Sequence, residues 1–268
     1  YTGNNTTNAI TGVGFQPDFV WIKERGGIAS HQLNDAVRGV LKFLESDGTA
    51  LEATSASSAD FYQYDADGFT LGYSNHDQVN VDTENYVAHN WKAATTASGT
   101  TSGSGTGKAY SARYNADAGF SIIGYTGNGT SGHTIPHHLG VIPEMIIVKK
   151  RSGAAQWRVY HADNTAAPET DFLILNEPNA TWDDDGEWND TAPTSSVFTV
   201  GDDNEVNTDD ATYIAYCFCS VDGYSKVGTY VGNNNADGTF VYTGMKVSFV
   251  LLKRLADEGW QIFDSTRS

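Results

Sequence analysis

The chain has 268 residues, with 33 Asp and Glu against 16 Lys and Arg, giving a formal net charge of −17 and a pI near 4.5. That charge opposes association with a nucleic-acid backbone or an anionic membrane surface, and no run of about twenty apolar residues is present to span a bilayer. Abundant Gly, Tyr and Thr with sparse Leu favour short strands joined by polar turns, and the length suits about two domains of ordinary size.

In chain order, Tyr1-Thr2-Gly3-Asn4 opens a polar stretch that leads to a strand over Phe19–Lys23. Leu33, Val37, Val40, Leu41 and Leu44 then recur at helical spacing, with Ser30 or Asn34 able to cap a helix. A matching segment further along, Gln156–His161, alternates as a strand does. The prediction is therefore a strand over His31–Asp35, with at most one helical turn after it. Strands follow at Gly68–Gly72 and Tyr86–Trp91. The Ala, Thr, Ser and Gly of residues 94–107 cannot bury enough surface to order themselves and predict a flexible linker over residues 94–115. Beyond it, strands are predicted at Phe120–Tyr125, Met145–Lys149, Gln156–His161, Asp171–Asn176, Val197–Gly201, Tyr213–Ser220, Lys226–Val231, Phe249–Lys253 and Trp260–Asp264. Met145-Ile146-Ile147-Val148 and Phe249-Val250-Leu251-Leu252 read as strands covered on both faces, and Tyr213–Phe218 alternates large and small side chains between two inner layers.

These elements repeat. Tyr1-Thr2-Gly3-Asn4 returns as Tyr125-Thr126-Gly127-Asn128 and as Tyr230-Val231-Gly232-Asn233. Phe19–Arg25 returns as Met145–Arg151 and as Phe249–Arg254, and six residues past each closing Arg stands His31, Trp157 or Trp260. Asp35-Ala36-Val37-Arg38 matches Asp264-Ser265-Thr266-Arg267. The first two copies share second halves, Phe69–Gly72 with Phe198–Gly201 and Tyr86–Trp91 with Tyr213–Phe218, and the third reaches neither. The expectation is an all-β chain of tandem β-sandwich domains, jelly-roll or lectin-like, taken from a longer array. The first sandwich spans residues 1–93, the linker 94–115, the second sandwich 116–222, and a partial third copy, able to pack on the second, 223–268.

Few residues point to chemistry. Cys217 and Cys219 share one face of a strand and read as buried small hydrophobes. His133, His137 and His138 lie among Gly and Pro without metalloprotease spacing, and no Gly-x-Ser-x-Gly elbow occurs. Glu177, Asp183, Asp184, Asp185 and Glu187 could supply the carboxyl pair a glycosidase needs, although clustered carboxylates in a polar loop are more often solvated or cation-binding. Two loops remain. Trp182 and Trp188 bracket Asp183, Asp184 and Asp185, and indole faces stack on sugars while carboxylates accept hydroxyl hydrogens, so this loop is the candidate glycan site. Asp202, Asp203, Asn207 and Asp209 offer oxygen ligands in a short span and are the candidate calcium site, the one cofactor the sequence suggests.

Gly119-Phe120-Ser121, Tyr125-Thr126-Gly127-Asn128, His138-Leu139-Gly140-Val141, Pro143–Lys149 and Trp188–Phe198 together resemble a repeat domain of uncharacterised function. That domain occurs in virion proteins of tailed bacteriophages, marine ones especially, which usually bear the label tail fibre. The resemblance implies a component on the virion exterior, trimeric as tail fibres are, and brings no catalytic residues with it. The reading is a non-enzymatic attachment protein that binds host-surface glycan or protein multivalently and contacts other virion proteins. A capsid or tail decoration module, a polysaccharide depolymerase and a bacterial surface adhesin are the competing readings.

Overall fold

Residues 1–266 are described by a computed structural model. Arg267, matched in sequence to Arg38, lies outside the described residues. The strands of the first part are β1 (Asn8–Thr11), β2 (Phe19–Glu24), β3 (Gln32–Asp35), β4 (Lys42–Glu45), β5 (Ala53–Thr54), β6 (Phe61–Asp65), β7 (Gly68–Leu71) and β8 (Tyr86–Trp91). Next come β9 (Thr95–Thr100), β10 (Ser102–Gly103), β11 (Ala109–Asn115), β12 (Phe120–Thr126), β13 (His133–Pro136), β14 (Met145–Lys150), β15 (Arg158–His161), β16 (Asp171–Ile174) and β17 (Trp182–Asp183). A one-turn helix α1 (Asp185–Trp188), β18 (Val197–Val200), a second short helix α2 (Asn204–Asn207), β19 (Thr212–Phe218), β20 (Phe249–Leu252) and β21 (Gln261–Asp264) complete the chain.

Side chains alternate across a strand, so a strand apolar at every position needs a layer on each side. That demand is met by stacking. A five-stranded sheet, β5-β4-β3-β2-β8, lies against an eight-stranded one, β17-β16-β15-β14-β19-β12-β11-β9. From β2, Phe19 and Trp21 enter the layer between these sheets, where they meet Ile147 of β14, Phe120 and Ile122 of β12, and Ile214 and Tyr216 of β19. The other face of β2, Val20 and Ile22, packs with Phe61, Phe69 and Leu71 of the outer sheet β1-β7-β6. The other face of β14, Ile146 and Val148, packs with Ile135, Phe198 and Val200 of the outer sheet β10-β13-β18. All antiparallel pairs are in continuous register except for one bulge between Phe61 and Gln63.

The β2–β3 and β14–β15 hairpins run in the same sheet order, each with its first strand also paired to β8 or β19. A third pair, β20–β21, sets Phe249 opposite Asp264 as β2–β3 sets Phe19 opposite Asp35. Its inner residues Trp260 and Ile262 join the central layer, and Phe249 lies 4.6 Å from the His89 ring and 5.5 Å from that of Trp91.

Side-chain donors on main-chain carbonyls tie distant segments together. Trp157 Nε1 donates to Glu45 O at 2.9 Å, and Lys149 Nζ donates to Thr49 O at 3.0 Å. One step along, Trp260 Nε1 donates to Ile174 O at 2.8 Å, and Lys253 Nζ donates to Pro178 O at 3.1 Å. Ion pairs add to the join between the two large sheets: Arg113 with Asp18 at 2.6 Å and Arg151 with Glu52 at 2.7 Å. Buried Arg38 pairs with Asp35, which also accepts from Tyr216 Oη at 2.8 Å.

Two expectations change. Residues 94–115 form β9, β10 and β11 rather than a linker, with β11 paired along its length to both β9 and β12. Its Ala112 faces the second core, which supplies the apolar anchor that the segment lacks when its composition is judged alone. The stretch Lys226–Val231 forms no strand. By contrast β3 is a strand where local spacing suggested a helix, with a turn at Ala36–Arg38.

Candidate functional site

Where the β2–β3 hairpin, the end of β16 and the β20–β21 hairpin meet, they leave a cleft of about 610 Å³, lined among others by Trp21, Arg25, His31, Asp47, Glu177 and Trp260. Alternation along β2 turns Trp21 toward this cleft, and its indole N–H donates to His31 Nδ1 at 2.9 Å. That bond fixes the neutral tautomer of His31 with its hydrogen on Nε2. The His31 backbone N–H in turn donates to Asp47 Oδ1 at 3.1 Å. Trp260 is oriented by its bond to the Ile174 carbonyl. Lys23 Nζ donates to Glu24 O and Gly27 O, closing the turn that carries exposed Arg25. The result is a groove floored by the part-buried Trp260 indole, with the Trp21 indole buried beneath it, and with an imidazole, a guanidinium and the carboxylates of Glu24, Asp47 and Glu177 along its lining. Such a set suits a polyhydroxylated ligand, whose C–H faces stack on rings while its hydroxyls bond to the charged groups.

Chemistry by covalent catalysis finds less support. Ser55 Oγ donates to Asp60 Oδ2 at 2.6 Å, and His76 Nδ1 reaches the same oxygen at 2.7 Å. The carboxylate therefore stands between hydroxyl and imidazole, and His76 is not placed as the base of Ser55. Burial pushes the Cys219 thiol up to about 11 and raises that of Cys217 as well, so neither is an activated nucleophile.

The family model for a domain of unknown function, DUF7483, matches residues 1–268. The chain belongs to that family. No curated protein and no solved structure matches it.

In this DUF7483 chain the loop expected to hold glycan is split. Trp182 is 52% exposed on β17, whereas Trp188 is 1% exposed, with its Nε1 donating to Asp171 O at 3.1 Å and its ring edge-on to Tyr160. Asp184 caps α1 by accepting from Gly186 N at 2.9 Å, and Asp183 and Asp185 are exposed. The two indoles thus do not bracket the acids, because the turn of α1 carries one of them into the core. Glu187 follows it inward and pairs with Arg158, and its carboxyl is pushed up to about 8 by burial against the pull of that guanidinium. Of the carboxyls weighed for a glycosidase pair, Glu177 lines the cleft.

The calcium candidates diverge too. Asp202 is exposed, and Asp203 Oδ1 caps α2 by accepting from Glu205 N at 2.7 Å. Asp209 is held below the usual carboxylate range by Lys108, 2.9 Å away. Asn207 is fully buried, accepting from Asn128 N at 2.9 Å and donating to Thr130 O and to Gly201 O. Asn80 plays the same part in the first unit, accepting from Asn4 N at 3.0 Å and donating to Thr6 O and Gly72 O. Among the described residues no cluster of three or more His, Cys, Asp or Glu is arranged to hold a metal ion. Sequence reasoning missed the cleft because its walls come from three distant segments. The recurring position His31, Trp157 and Trp260 was the one available signal.

Proposed function

We propose that this DUF7483 chain is a non-enzymatic recognition module that binds surface glycan in the cleft between its three hairpins. The observation carrying this reading is the part-buried indole of Trp260, held by its bond to the Ile174 carbonyl and rimmed by Arg25, Asp47 and Glu177. We read the architecture as tandem sandwich units of lectin-like type built on an internal repeat, the third incomplete. Support comes from the shared strand order, the shared registers and the docking bonds used twice. By its resemblance to phage tail-fibre repeats, the proposed setting is the exterior of a virion. There a trimer would turn weak single-site contacts into avidity.

The test is a titration of the chain with host-derived polysaccharides, comparing the native protein with Trp260→Ala and Arg25→Ala. The expected result is saturable binding without release of shortened glycan, weakened about tenfold or more by Trp260→Ala. Arg25 is exposed and its replacement leaves the fold intact, so a loss there assigns the effect to the cleft. Release of oligosaccharide product would establish the depolymerase instead. Binding to other virion proteins with indifference to glycans would establish the decoration module.

A further inference from the structure

The outer face of β20–β21 is bare where its two counterparts are covered. Val20 and Ile22 of β2 and Ile146 and Val148 of β14 are fully buried. Two elements bury them in each case. A strand pairs along the free edge, β8 on β2 and β19 on β14. An outer-sheet strand, β7 or β18, then lays Phe69 and Leu71, or Phe198 and Val200, over the face. β20 has neither among the described residues. Its Val250 and Leu252 are half-buried, while Phe263 is 51%, Tyr242 80% and Phe240 87% exposed.

The hairpin is anchored on its inner face by Trp260 and Phe249, so this bare surface belongs to a docked element. Two further residues point to the same missing cover. Tyr1 stacks on Tyr86 with centroids 5.0 Å apart, and Tyr125 on Tyr213 at 5.1 Å, whereas their sequence counterpart Tyr230 is 51% exposed. A Cβ on Gly3 would meet Val81 O at 2.1 Å and one on Gly127 would meet Thr208 O at 2.3 Å, yet one on Gly232 would meet nothing within 4 Å. Each of the three absences sits where the strand after β7 or β18 would run.

An open edge beside an apolar face is a template for strand addition. We propose that β20 is an acceptor for one further polypeptide strand of the pattern seen in β8 and β19. In that pattern Tyr, an aliphatic residue and Ala come in succession and an aromatic residue stands sixth, as in Tyr86-Val87-Ala88-His89-Asn90-Trp91 and Tyr213-Ile214-Ala215-Tyr216-Cys217-Phe218. The register places the sixth residue opposite Phe249, as Trp91 lies opposite Phe19 and Phe218 opposite Met145. The inference rests on the repeat reading above and is independent of the cleft.

The probe is a synthetic peptide of residues 85–93, Asn85 to Ala93, added to the full chain. The expected result is 1:1 binding, with amide exchange slowed across residues 249–252, and about tenfold or more weaker binding to Val250→Lys. Because Val250 lies on the uncovered face, that variant keeps the native melting temperature and the native response to glycan. Arg25→Ala, in contrast, reports on the cleft. Equal binding of a scrambled peptide, protection on β21 instead of β20, or no binding at all would overturn the proposal. So would self-association of the chain through β20, which would make a second copy the occupant.

Discussion

Lys149 is a fully buried cation whose ammonium donates to Thr49 O and Ala155 O, two carbonyls on either side of a junction. Burial lowers its pKa from 10.5 to about 8. Between those two values the unfolded chain holds a proton that the folded chain has released, so this residue makes stability rise with pH across that window; the gain is lost as pH falls from 10.5 and is gone once it reaches about 8. Urea unfolding from pH 8 to 10.5 should therefore show a slope that Lys149→Met flattens by up to about 1.4 kcal/mol per pH unit. An unchanged slope would mean the ammonium is not desolvated at this junction. At this scale the sequence was legible where a residue's role is set by its own strand: Cys217 and Cys219 are buried and unbridged, as their shared face implies. It was opaque where the partner is remote. Nothing near Asn207 signals that its side-chain amide closes a loop 79 residues away.

Among the elements, β9 to β11 carry the clearest lesson. Six of the seven residue pairs that β11 could make are formed with each of its neighbours, and only then does a Gly, Ser and Thr segment acquire order. Ala112, 3% exposed, is the point of attachment to the second core. Ala112→Asp should cost about 3 kcal/mol or more, by burying an unpaired carboxylate, and should release residues 95–111 to protease. A flexible linker would tolerate the change and be cut in both forms. The opposite error was avoided at β3, where apolar spacing favoured a helix but the alternation of its counterpart Gln156–His161 did not. Periodicity within one segment reports which faces are apolar, and only pairing decides which geometry satisfies them. The strand positions β2, β14, β19 and β20 were legible because each is a run of apolar residues; β1, β6 and β13 were missed because their buried positions alternate with or give way to polar ones, leaving no such run.

For the whole molecule, the sheets stack as four layers with a common middle. Phe19 of β2 lies 4.5 Å from Tyr216 of β19 and 5.9 Å from Phe120 of β12, centroid to centroid. Beads on a flexible tether would melt independently, whereas units with a common aromatic core melt together. Calorimetry should give one transition for the intact chain. Phe19→Ala should lower that single transition by about 3–5 kcal/mol and leave no surviving second peak. Two resolved peaks, with only the first affected, would show that the middle layer is not shared.

The docking bonds of Trp157, Lys149, Trp260 and Lys253 all end on backbone oxygens. A carbonyl is supplied by every amino acid alike, so these four bonds place almost no restriction on the side chains at the accepting positions Glu45, Thr49, Ile174 and Pro178. Identity at the join is set by its ion pairs and aromatic contacts instead.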